Sequence, residues 1–226
     1  MSDIAGNITL LKQQLPSSVK LVAVSKTMSV YDILIAYNTG QRYFGENRVQ
    51  ELLNKIDHLP GDIKWHVIGH LQTNKVKSIV PFVSMVQSVD SYKLLKTINL
   101  EAKRNSLTMD CLFQIHIAME ETKFGFNMNE LEEMIKSQEF AELDNIRVCG
   151  VMGMATFTYE SVQVRKEFRY LADCFKDLKS RYFASTPHFK EISMGMSGDF
   201  EIALSEGSTL VRIGSLIFGE RNNGSK

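Results

Sequence analysis

VKLVAVSKTMSVYDILIAYNTGQRYFGE (19–46) contains the unit from which the fold can be read. VKLVAVSK (19–26) is nearly all apolar and valine-rich, VYDILIAYN (30–38) has helical spacing, and RYFGE (42–46) is again of strand length. An unbroken apolar run of this length fits a strand covered on both faces, as in parallel sheets whose crossovers are helices. The unit recurs outward along the chain. Strand-like runs follow at KWHVIG (64–69), MVQSV (85–89), DCLFQIHI (110–117), IRVCGVMGM (146–154), FKEISMG (189–195) and TLVRIG (209–214). Between them lie the helical segments NRVQELLNKI, SYKLLKTINLEAKR, NELEEMIKSQ and SVQVRKEFRYLADCFKDLKSR. About eight strands alternating with helices predict a single α/β domain over 1–226, a (β/α)8 TIM-type barrel; a doubly wound open sheet is the alternative. Residues 1–15 form an extra N-terminal helix in this reading. The four prolines, Pro16, Pro60, Pro81 and Pro187, all fall between predicted elements.

Composition narrows the class. Of 226 residues, 44% are hydrophobic and 23% charged, an ordinary globular balance. Lys+Arg and Asp+Glu both number 26, so no basic excess points to nucleic acid or an anionic membrane surface. No stretch reaches the ~18 apolar residues of a membrane span, and the N-terminus does not read as a signal peptide. Cys111, Cys149 and Cys174 are odd in number and lack CxxC spacing, which suits reduced thiols in a cytoplasmic protein and no zinc site. A monomer is the expectation.

The chemically unusual residues gather where predicted strands end: Ser25-Lys26-Thr27, Gly45-Glu46-Asn47-Arg48, Gly69-His70, Met152-Gly153-Met154, Met194 to Asp199, and Arg212 with Gly214-Ser215. In a barrel these ends share one face, the face that carries active sites. Lys26 reads either as a solvated strand-end lysine or as an amine held in the barrel mouth, where partial desolvation and cationic neighbours favour the neutral form that attacks aldehydes. Ser197 is a candidate N-cap and Gly214-Ser215 opens the next helix; helix starts after strands seven and eight also suit a phosphate. Arg212 interrupts an apolar run. It needs a partner, whether an acid such as Glu46, solvent reached by snorkelling, or a ring nitrogen or anion in the mouth. Asn47 can line the mouth, cap the following helix, or both. His66 suits the barrel interior, while His70 begins a loop.

These residues sit in motifs that resemble a known family, the pyridoxal phosphate homeostasis proteins. The motifs are LVAVSKT (21–27), FGENRVQE (44–51), WHVIGHLQTNK (65–75), FGFN (124–127), GVMGMAT (150–156), SMGMSGDFEIAL (193–204) and GSTLVRIGSLIFGER (207–221). The resemblance implies a barrel similar to the N-terminal domain of alanine racemase, binding pyridoxal 5′-phosphate (PLP) as a covalent aldimine on Lys26. It places the phosphate on Ser197, Gly214 and Ser215, the pyridine nitrogen opposite Arg212, and Asn47, His70 and Met194 at the site. It further implies a carrier or buffer in vitamin B6 homeostasis, with apo-forms of PLP-dependent enzymes as recipients, and not a dedicated catalyst. The alternatives are a PLP-dependent amino-acid racemase and an aldolase-type barrel. Racemisation needs acid/base groups on both faces of the substrate. Alanine racemases take one from a second domain, for which the chain after strand eight has no room, and none of the seven tyrosines stands in a comparable motif.

Overall fold

Eight parallel strands close on themselves in sequence order. They are β1 (Lys20–Val24), β2 (Tyr43–Glu46), β3 (Lys64–Val67), β4 (Val83–Val89), β5 (Met109–Gln114), β6 (Ile146–Met152), β7 (Glu191–Ser193) and β8 (Leu210–Ile213). The structure is a computed structural model and describes residues 2–120 and 124–219. Glu220 and Arg221, the end of the 207–221 motif, lie outside the described residues. Closure runs through β1 and β8, with Lys20 opposite Leu210 and Val22 opposite Arg212. The chain is therefore a (β/α)8 barrel, and the open-sheet alternative is excluded by that last pairing.

The helices stand where periodicity put them. An N-terminal helix, α1 (Ile4–Gln14), precedes the first strand. α2 (Val30–Asn38) starts at a reciprocal cap: Ser29 accepts from the Asp32 N–H, and the Asp32 carboxylate accepts from the Ser29 N–H. α3 (Val49–Ile56), α5 (Tyr92–Arg104), α6 (Met128–Lys136) and α8 (Ser161–Arg181) follow their predicted segments. The alternation of strands and helices continues between β3 and β4, where no segment stands out by its periodicity: a 3₁₀ turn (Thr73–Lys75) leads into the one-turn α4 (Val76–Ile79). So short an element shows no full apolar stripe in sequence. One-turn helices α7 (Gln138–Ala141) and α10 (Ser215–Phe218), and α9 (Phe200–Ser205), complete the ring. Two expected caps are absent. Asn47 does not cap α3, whose N-cap is Arg48, and Ser197 does not cap α9, whose N-cap is Asp199.

Side-chain alternation divides the interior into two layers. Leu21, Ala23, Trp65, Val67, Val211 and Ile213 pack outward against the helices, where α8 contributes Val164, Phe168, Leu171 and Leu178. Val22, Met85, Leu112, Cys149, Met152 and Leu210 fill the barrel itself. The three cysteines are buried and unpaired. Among the described residues no helix is long and apolar enough to cross a membrane, and no His/Cys/Asp/Glu cluster is placed to hold a metal.

His66 on β3 is buried, with its Nδ1 2.7 Å from the Gln87 amide nitrogen. Burial, with a smaller push from the Lys20 ammonium, lowers its pKa to about 3. An unfolded histidine titrates near ~6.5, so between these limits the unfolded chain binds the extra proton. His66 thus contributes stability that is complete above ~6.5 and is lost as pH falls toward its folded value, at up to ~1.4 kcal/mol per pH unit. We expect His66→Asn to flatten the acid limb of stability against pH in urea titrations. Limbs of equal steepness in the two proteins would contradict this.

Candidate functional site

The C-terminal end of β1 carries Lys26, and the surrounding network is built to hold its backbone. Ser25 is fully buried; its N–H donates to the Gly45 carbonyl and its hydroxyl to Glu46 Oε1 at 2.7 Å. The Ser25 carbonyl accepts from Lys55 Nζ at 2.9 Å. Lys55, on α3, also pairs with Glu46 at 2.8 Å and Glu51 at 2.6 Å. Glu51 in turn accepts from the Thr27 N–H. Thr27 sits at φ 68°, in the left-handed region that a β-branched residue rarely enters. Such backbone persists only where surrounding bonds hold it, and here the two residues flanking Lys26 are both held. Burial raises the Glu46 pKa, offset by the hydrogen bonds from Lys55 and Ser25.

Above this floor opens a cavity of about 410 Å³, within the range usual for small-molecule sites. Its lining includes half-buried Lys26 together with Asn47, Ser197, Arg212, Gly214 and Ser215, contributed from the ends of β1, β2, β7 and β8. Gly69, at the end of β3, allows Asn47 its place, since a Cβ there would stand 2.8 Å from the Asn47 carbonyl oxygen. Gly195, at φ 96°, turns the chain after β7; its missing Cβ would fall 2.6 Å from that of Ala203 on α9. The turn brings Ser197 beside the last strand, where its hydroxyl accepts from the Gly214 N–H at 3.3 Å. Gly214 precedes α10, whose first N–H groups lack intrahelical acceptors.

Arg212 forms the inner wall of the cavity and is only 3% exposed. Its Nη1 donates to Ser193 Oγ at 2.5 Å and its Nη2 to the Gly153 carbonyl at 2.9 Å. Desolvation lowers its pKa to about 10, opposed by the Asp199 carboxylate, so the guanidinium stays charged at neutral pH. Neither of the plainer sequence readings holds: Arg212 does not snorkel to solvent, and Glu46 is spent on Lys55 instead. Burial also raises the Asp199 pKa, although its carboxylate accepts from the Met196 N–H at 2.5 Å.

Two expected site residues do not line this cavity. Met194 is fully buried in the layer between barrel and helices, because alternation after Ser193 turns it outward. His70 is drawn to Asp90, 2.7 Å from its Nδ1, and stacks on the Phe124 ring with centroids 3.8 Å apart. Conversely, the cavity is also lined by Met154, Thr156, Phe157, Thr158 and Tyr159, from the loop between β6 and α8. Phe157 and Tyr159 are almost wholly solvent-exposed. The segment follows a strand end in GVMGMAT, a signal that pointed to the loop but not to its aromatic tip.

The architecture defines the class: residues 1–222 match the model of the alanine racemase N-terminal domain. The pyridoxal phosphate homeostasis protein of Aquifex aeolicus is 41% identical over 203 residues, covering 89% of this chain and 87% of that one. Its namesake in Escherichia coli K12 is 35% identical with both chains fully covered. PipY of Synechococcus elongatus, in a structure with PLP bound, superposes with a TM-score of 0.87 at 31% identity, over 96% of this chain and all of PipY. The alanine racemase of Clostridium difficile shares the fold alone, with a TM-score of 0.75 at 15% identity. This chain belongs to the pyridoxal phosphate homeostasis protein family.

Lys55→Met tests the floor of the site. Both carboxylate and ammonium are nearly inaccessible, and removing one partner of a buried pair costs about 3–5 kcal/mol. Without Lys55 the Glu46 pKa rises further, so protonation relieves the penalty in acid. We expect the deficit in unfolding free energy to be larger at pH 8 than at pH 5; a deficit independent of pH would mean Glu46 does not carry it.

Proposed function

We propose that this chain binds PLP as a Schiff base on Lys26 and serves intracellular PLP homeostasis, buffering the cofactor or supplying it to apo-enzymes. The observation that carries this reading is the convergence of Lys26, Arg212, Ser197, Gly214 and Ser215 on one cavity. The donor set suits the molecule. Lys26 is an amine for the aldehyde. Ser197, Ser215 and the first N–H groups of α10 are neutral donors for a phosphate, and Gly214, whose N–H rests at 3.3 Å on the Ser197 hydroxyl, can turn that N–H to the same anion. Arg212 donates without accepting, so a ring nitrogen opposite it stays unprotonated and the ring is a poor electron sink. Asn47 completes the contact set, from which Met194 and His70 are left out. PLP supplies an electrophilic aldehyde; the protein's part is to hold it, and the proposed carrier is a cytoplasmic monomer without efficient turnover.

One observation favours the racemase reading: Tyr159 lines the cavity. It is fully exposed, however, and an acid/base group needs a fixed position to work. Amino-acid racemisation near ~1 s⁻¹, within the usual enzyme range, that disappeared in both Lys26→Ala and Tyr159→Phe would establish that reading in place of the carrier.

Lys26→Ala should remove the visible absorption of PLP-loaded protein and the adduct trapped by borohydride, with the far-ultraviolet circular dichroism unchanged. A reduced adduct mapped to another lysine in the wild-type chain would refute the assignment. Replacing both Ser197 and Ser215 with alanine should weaken PLP at least tenfold, since hydrogen bonds to a charged group contribute about 1.5–3 kcal/mol each. Unphosphorylated pyridoxal should be affected far less. Equal losses for both ligands would place the phosphate elsewhere.

A further inference from the structure

A line of polar side chains crosses the barrel interior beneath the cavity. Arg212 on β8 donates to Ser193 Oγ on β7 at 2.5 Å. The Ser193 hydroxyl donates to Gln87 Oε1 on β4 at 2.6 Å. Gln87 Nε2 lies 2.7 Å from His66 Nδ1 on β3. All four residues are at most 3% exposed, and they lie among the valine, leucine, methionine and cysteine side chains that pack inside the barrel. A buried polar chain holds one arrangement when donor faces acceptor at each of its links.

The direction of every link follows from the first. A guanidinium can only donate, so Ser193 accepts from it, and the single hydroxyl proton goes to Gln87 Oε1. Gln87 must then present its NH₂ to His66. His66 Nδ1 must be bare, which puts the ring proton on Nε2. The low His66 pKa, about 3, agrees with this neutral state. An imidazole protonated at Nδ1 would oppose one N–H to another and turn the amide over. Gln87 would then offer NH₂ to a hydroxyl already receiving from Arg212.

We infer that His66, in its neutral Nε2-protonated tautomer, is a positioning residue for Arg212: it locks Gln87 and Ser193 in the one orientation that grips the inner edge of the guanidinium. The outer N–H groups are thereby aimed into the cavity. The inference deepens the proposed function, because that outer edge is the one a ring nitrogen would meet; the locking itself does not depend on PLP.

The decisive measurement is ¹⁵N NMR of the ligand-free chain. His66 should show a bare Nδ1 and a protonated Nε2 from pH 8 to pH 5, and the Arg212 Nη signals should be resolved by hindered rotation. His66→Leu should merge the Arg212 signals, whereas His66→Asn, with an acceptor near the place of Nδ1, should keep them apart. Gln87→Glu accepts at both ends and should drive a proton onto His66 Nδ1, so that His66 titrates at least one pH unit higher. With PLP added, the visible band should shift in His66→Leu and return in His66→Asn. An Nδ1-protonated His66 in the wild-type chain, unmerged Arg212 signals in His66→Leu, or an unmoved titration in Gln87→Glu each overturns the inference. Should the wild-type chain fail to take up PLP, the proposed function falls while the ligand-free spectra still decide the role of His66.

Discussion

Positions 20–23 pair with positions 210–213, so the first strand and the last are joined only after nearly the whole chain has been laid down. Contacts of such separation are repaid late in folding, because loop closure must come first. Yet everything at the mouth depends on this seam. Lys26 continues from β1 and Gly214 from β8, and without their pairing the amine and the α10 turn would belong to opposite edges of an open sheet. The neighbouring seam is much slighter: β7 and β8 share a single registered pair, Ser193 with Leu210. Hydrogen bonds outside the ladder reinforce it, from the Met194 N–H to the Leu210 carbonyl and from the Arg212 N–H to the Gly195 carbonyl.

The second organising feature is electrostatic. Ser25, Glu46, Lys55 and Glu51 form a connected set beneath the mouth, spanning β1, β2 and α3. A buried ion pair adds little net stability compared with apolar packing of the same volume. What it supplies here is direction. Lys55 reaches the Ser25 carbonyl and Glu51 the Thr27 N–H, and these bonds fix the peptide groups on either side of Lys26. The lysine side chain is thus presented from a backbone that has been set in place beforehand, with strain at Thr27 as the accompanying cost.

Much of this was legible in the sequence, for identifiable reasons. The barrel showed because its strands are apolar on both faces, and α5 and α8 showed because their stripes repeat over several turns. Arg212 showed because a cation inside TLVRIG demands a partner, although the sequence left open whether that partner was an acid, solvent or a ligand. What stayed hidden depends on geometry that one-dimensional pattern does not carry. Asn47 and Ser197 have the chemistry of caps, but each lies one or two residues too early, and the tight turns after β2 and β7 spend those residues before the helix begins. Met194 stands in a motif full of site residues, and only alternation sends it outward. His70 is claimed by Asp90, a residue at the end of a different strand. Glu46 stood in the sequence as an acid that could pair with Arg212, and became a buried support because Lys55 arrives from the next helix.

The first helix is tied to the last. Asn7 Nδ2 donates to the Ile217 carbonyl at 3.0 Å, and Ser2 Oγ reaches the same oxygen at 3.4 Å. Ile217 belongs to α10, whose opening residue, Ser215, borders the cavity, whereas no residue of α1 lines it. Linkage between two coupled positions is reciprocal, so any ordering of the α10 turn that tightens the Asn7 bond is matched by an equal effect of that bond on the turn. The N-terminal helix is thus joined to the turn at the mouth while standing outside the cavity, which makes it the place for a fluorophore or isotopic label that watches α10 without touching the cavity lining.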